Sequence, residues 1–163
     1  TQPGTDGAAA APLTDAQILG VVLAANQGEI DQGNLAVSRG TDARITAFGH
    51  EMVTGHTASN QEVAALAAQL NLVPAPSDLS NRLQQESARI LSELSGKQSG
   101  LPFDQDYIVN QVAFHNQILG IIDNDLTPAA TIPAIKSFLK QSYRPMEATH
   151  LEEASKIWAG FDP

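Results

Sequence analysis

The sequence contains no cysteine, which excludes disulfides, thiolate metal sites and a cysteine nucleophile. Aromatic residues make up only 5% of the chain, so it is poor in the side chains that anchor protein interfaces. Cationic side chains are scarce as well: nine Lys and Arg stand against eighteen Asp and Glu, a net charge of -9. A chain this acidic repels phosphate backbones and anionic lipid surfaces, so nucleic acid is not an expected partner. Long apolar runs are missing: stretches such as ILGVVLAA fall far short of the ~20 residues of a membrane-spanning helix. No segment alternates apolar and polar residues between turn signals, as a half-buried strand would. With 163 residues and 42% hydrophobic content, the chain suits one domain with its own core.

Helical signals fill the space these absences leave. Thr14 followed by Gln17 forms a capping-box pattern, and Ile18, Val22, Ala25, Glu29 and Ala36 form a helical stripe that stops near Gly40. A second helix starts at Thr41 or Asp42 and carries Ile45, Phe48, Met52, His56, Val63, Leu66 and Leu70. The prolines of NLVPAPSD end it, and Ser77 or Asp78 caps a shorter helix that reaches Leu94. After the loop SGKQSGLPFD, a third long helix runs from Phe103 or Asp104 to about Leu126, through Ile108, Val112, His115, Ile118, Leu119 and Ile122. Asp104 is its expected N-cap, and Tyr107 an expected half-buried residue with a hydrogen-bonding tip. Pro133 opens the last helix, with Ile135, Phe138, Leu139, Ser142, Met146, His150 and Ile157 on its stripe and Pro145 as a kink. The pattern predicts an all-α, antiparallel four-helix bundle, residues 14–160, with a long crossover that contains a short extra helix. Residues 1–13 form a low-complexity tail.

Each long helix interrupts its stripe with one ionisable residue: Glu29, His56, His115 and His150. A helix of about 26 residues spans roughly 39 Å, and all four residues fall near mid-length. Antiparallel packing therefore brings them to one level of the bundle. Imidazole and carboxylate are ligands for zinc, copper or iron, so one transition-metal ion is the expected cofactor. A metal-free network of hydrogen-bonded His and Glu is the competing reading of the same pattern. Glu147 and His150 have the Glu-x-x-His spacing of carboxylate-bridged di-metal bundles, but the third long helix shows VAFH in place of a second such motif. His50 is expected at the surface.

The stretches NQGEIDQGNLA, ITAFGHEMVTGHTASNQEVAALA, FDQDYIVNQVAFHNQILGIID and RPMEATHLEEA resemble, in this order, a widespread bacterial family of exported proteins of unknown function. That family has a ferritin-like helical bundle and is often labelled as outer membrane proteins. The resemblance covers residues 14–158, implies a ferritin-like bundle, and maps the family's recurrent polar positions onto Glu29, His56, Asp104, Tyr107, His115 and His150. Gly55 stands where the family often has aspartate, and Arg144 where it often has leucine. Together with the tail TQPGTDGAAAAP, which reads like a chain end left by signal-peptide removal, the resemblance implies export to the periplasm or the extracellular space. Three functions fit these observations: a metal-binding protein without turnover, a structural subunit that joins a partner or its own copy through the tail, and a mononuclear metalloenzyme.

Overall fold

The computed structural model describes residues 11–161. The expected tail docking falls on residues 1–13, and residues 1–10 lie outside the described part. Leu13 packs against the core, so the folded unit starts at or before that residue. Among the described residues every regular element is helical, and no helix is long and apolar enough to cross a membrane.

Helix α1 (Asp15–Arg39) opens with the expected capping box: Gln17 N donates to Thr14 Oγ1 at 3.2 Å, and Thr14 N to Gln17 Oε1 at 3.0 Å. Helix α2 (Ala43–Leu70) starts behind the N-cap Asp42 and closes on Asn71, whose left-handed φ of 52° satisfies the C-cap geometry. The two helices run antiparallel, because Gly33 meets Gly49 while Asn26, further back on α1, meets Ser59, further along α2. Their crossing is close. A Cβ on Gly33 would come within 2.8 Å of the Gly49 carbonyl, and the reverse holds for Gly49, so any side chain here drives the helices apart.

Helix α3 (Asp78–Gly96) is the extra helix of the crossover. It runs parallel to α1: Ala75 lies beside Gly20, Ser87 beside Gly28, and the Leu94 carbonyl beside Arg39. The chain thus returns to the end of the bundle where α1 finishes, and helix α4 (Leu101–Ile121) starts there. Helix α4 continues through a π turn (Ile122–Leu126) and a last turn (Thr127–Ala129). Helix α5, residues 133–159, comprises Pro133–Phe138, a second π turn (Leu139–Tyr143) and Arg144–Ala159. It pairs antiparallel with α4, as Asp123 meets Arg144 and His115 meets His150. The result is two antiparallel hairpins, α1–α2 and α4–α5, joined by a long crossover. Ile18, Leu19, Val22, Phe48, Met52, Ile108 and Leu139 fill the core between them.

Two acids clamp the hairpins to each other. Asp104 was expected to cap α4, but that helix begins three residues earlier, behind Gly100. The buried Asp104 carboxylate instead accepts from Thr41 Oγ1 at 2.7 Å, Thr41 N at 3.1 Å and Asp42 N at 2.9 Å, holding the α1–α2 turn. Asp15 does the same for the α4–α5 turn, accepting from Thr131 N at 3.0 Å and Ile132 N at 3.3 Å. Asp104→Ala removes a buried carboxylate that three donors of the α1–α2 turn share, and is expected to cost about 3 kcal/mol in urea unfolding. Asp15→Ala, at a half-buried site that water can reach, is expected to cost about 1 kcal/mol. Equal costs for the two variants would contradict this division.

Candidate metal centre

The mid-bundle layer starts from helical spacing. On α1, Asn26, Glu29 and Gln32 lie three apart on the buried face; on α4, Tyr107, Gln111 and His115 lie four apart. On α5 the spacing needs the second π turn. Pro145 has no N–H to give the Gln141 carbonyl, and the helix takes up one extra residue just before it, where Arg144 N bonds Leu139 O. The extra residue rotates the inward face from Ser142 and Met146 to Tyr143 and Glu147. The buried stripe is therefore Tyr143, Glu147, His150, Ala154 and Ile157.

His56, His115 and His150 converge from α2, α4 and α5, with ring centroids 5.1 to 6.1 Å apart. One nitrogen from each lies within 4.8 Å of the other two, so the three buried histidines could hold a metal ion. Glu29 and Glu147 are both buried, and neither is part of that close group. The carboxylate beside the histidines is that of Glu147: Oε2 is 3.7 Å from His115 Nε2 and Oε1 is 3.9 Å from His56 Nδ1. His50 is exposed, as expected. Tyr107, expected to be half-buried with a bonded hydroxyl, is fully buried and its hydroxyl has no hydrogen-bond partner.

Two of the imidazoles have their tautomers fixed by their neighbours. Asn26 donates both amide hydrogens, to Ser59 Oγ at 3.0 Å and Asn60 Oδ1 at 2.9 Å, so its Oδ1 is the atom facing His56 Nδ1 at 2.9 Å. His56 Nδ1 must then be the donor, and the lone pair sits on Nε2. His115 Nδ1 lies 2.8 Å from the Gln111 carbonyl, which can only accept, so its lone pair also sits on Nε2. Both Nε2 atoms are buried without a hydrogen-bond partner, as is Nδ1 of His150. A carbonyl or amide oxygen behind each ring, with the opposite lone pair directed inward, is the arrangement that metal-bound histidines show.

The electrostatics keep these nitrogens available. Burial holds His115 and His150 down at about 4, and holds His56 well below the usual histidine range, with His150 and His115 adding to the effect. All three are neutral near pH 7. Burial also pushes Glu147 up to about 8, partly offset by Tyr143. It raises Glu29 well above the carboxylate range, with the charge of Glu147 adding to it and Gln111 opposing. The unpartnered atoms of the layer include both oxygens of Glu29, Oε2 of Glu147 and the hydroxyls of Tyr107 and Tyr143. Among the described residues no lysine or arginine is buried, so no side-chain cation compensates these acids.

Glu147 is the residue that sequence reasoning set aside. Its Glu-x-x-His spacing to His150 was a usable signal, but the stripe read at ordinary helical spacing placed Met146 inward in its stead. Comparison with known proteins adds one finding. No curated protein and no solved structure shows a significant match to the chain. A family model covers residues 1–157, and the chain belongs to that family, described as a domain of unknown function (DUF4142).

Proposed function

We propose that this protein binds one divalent transition-metal ion at mid-bundle, through Nε2 of His56, Nε2 of His115 and His150, with the Glu147 carboxylate completing the donor set. The observation that carries the reading is the pair of tautomer-locked, buried and unpartnered Nε2 lone pairs, facing a third buried imidazole. Unbonded polar groups in a core are costly, and a ligand that satisfies several at once removes that cost. Three neutral imidazoles and the carboxylates of Glu147 and Glu29 balance the charge of a divalent ion, with Glu29 acting from behind Glu147 and not as a direct ligand. The depth of the site favours a role in holding the ion over turnover of a substrate, since all three histidines are buried. Export remains the reading that the family resemblance supports.

The test is a titration of metal-free protein, purified without a histidine tag, with cobalt(II), following ligand-field absorption and elemental content. One equivalent is expected, with the intensity of a low-coordinate nitrogen and oxygen site. His150→Ala is expected to lose the spectrum, whereas His50→Ala keeps it. A protein that remains folded yet takes up no stoichiometric cobalt, zinc or copper would return the layer to a metal-free polar network.

A further inference from the structure

The histidine layer is closed on most sides by the core, but its cover is thin along the seam between α2 and α5. These helices run antiparallel in a steady register: Ser142 Oγ donates to Glu62 Oε2 at 2.6 Å, and further along Gly55 faces His150. A Cβ built on Gly55 would lie 3.2 Å from Nε2 and Cε1 of His150 and 3.9 Å from the Met146 sulfur. Only backbone therefore separates the edge of His150 from the half-buried surface at Gly55, and His150 retains 4% exposure while His56 and His115 have none.

One turn further out in the same register, Glu51 of α2 meets Glu153 of α5. The two acids are neighbours across the seam, and both are half-buried. Glu51 is four residues before Gly55 and Glu153 three after His150, so the acid pair sits on the same faces as the glycine and the imidazole, one turn along the seam. A cleft of about 580 Å³ lies further along the same seam, toward Arg44 and Ile157, and of the acid pair only Glu153 borders it. The cations that line it are already tied to other acids, Arg44 to Asp42 at 2.6 Å and Lys156 to Glu152 at 2.6 Å. The acid pair does not stand alone: one turn along, the Cε1–Nε2 edge of His150 faces the seam at Gly55, and Nδ1 of the same ring is buried without a partner.

We infer that metal ions enter and leave the histidine layer through the α2–α5 seam at Gly55, with Glu51 and Glu153 as the outer pair that captures the hydrated cation. The Met146 thioether lines the same passage and offers a soft contact on the way in. Two adjacent carboxylates at the mouth lower the electrostatic barrier for a cation in both directions. The pair therefore sets the rate of exchange and not the affinity of the inner site. This inference rests on the metal reading above.

Stopped-flow uptake of cobalt(II) by the metal-free full-length chain, and its extraction by a chelator, tests the route. Glu51→Gln with Glu153→Gln is expected to slow uptake at least fivefold at low ionic strength while changing the Kd less than twofold. Asp31→Asn with Glu86→Gln removes the same charge on the opposite side of the bundle and is expected to slow it far less. Gly55→Ala is unsuitable as the main variant, because its Cβ would shift His150 itself. Equal slowing by both double variants, or wild-type rates in the seam variant, overturns the route while leaving the inner site intact. A wild-type chain that takes up no cobalt overturns the metal reading and the route with it.

Discussion

Treatment with a chelator is expected to lower the thermal midpoint of this protein by about 5–10 °C, and one equivalent of zinc to restore it. The expectation follows from where the donors originate. His56 belongs to the first hairpin, and His115, Glu147 and His150 to the second, so an ion between them joins the two halves of the bundle. Such a site does not exist in the unfolded chain, and binding free energy becomes folding free energy. A free ion concentration of 100 times the Kd contributes about 2.7 kcal/mol. For a chain of this size, each kcal/mol moves the midpoint by about 2–4 °C. His150→Ala is expected to melt at one temperature with or without zinc, and Glu29→Gln to retain most of the zinc response. Calorimetric midpoints that do not change with chelator and zinc in the wild-type protein would refute the staple.

Much of this arrangement is legible in the sequence because its physics is local. The capping box at Thr14 and Gln17, the prolines after Leu72 and the stripes of α1 and α2 follow from helical period and turn chemistry alone. The convergence of His56, His115 and His150 follows from helix length and short connections, which need no tertiary information. What the pattern hides depends on contacts distant in sequence or on a departure from helical period. Asp104 sits where an N-cap would, but its partners are Thr41 and Asp42 on the other hairpin. Glu147 turns inward only because the π turn at Leu139–Tyr143 adds a residue, which ordinary spacing does not reveal. Asn26 looks like any polar residue on α1. Its role in fixing the tautomer of His56 appears only once Ser59 and Asn60 occupy its amide hydrogens. Glu29 is buried on α1, as its place on the stripe implies, yet which carboxylate stands beside the histidines is a matter of packing.

The carboxylate of Glu147 is expected to act in opposite directions in the metal-free and metal-bound protein, and pH exposes the reversal. In the metal-free fold, burial raises Glu147 to about 8, against an ordinary value of 4.5. A raised acid is protonated in the fold and ionised in the unfolded chain. Its favourable contribution is complete below about pH 4.5 and is lost as pH rises toward 8, after which the loss is constant. The histidines act with the other sign. With His115 and His150 held at about 4 against 6.5, their neutral forms lose stability as pH falls from 6.5 toward 4. Metal-free protein should therefore be most stable in a narrow range around pH 5–6 and weaker on both sides. Glu147→Gln removes the Glu147 share of the alkaline loss, while the buried Glu29 keeps its own, so the variant should exceed the wild type by on the order of 3 kcal/mol at pH 8 and match it near pH 5. With saturating zinc the order reverses at pH 8. The ionised carboxylate then faces a cation, and the wild type becomes the more stable protein. Urea unfolding of both proteins at pH 5 and pH 8, with chelator and with zinc, measures the four differences. Parallel pH profiles for the two metal-free proteins would show that Glu147 ionises in the fold as it does in water, and a zinc response equal in both would remove it from the donor set.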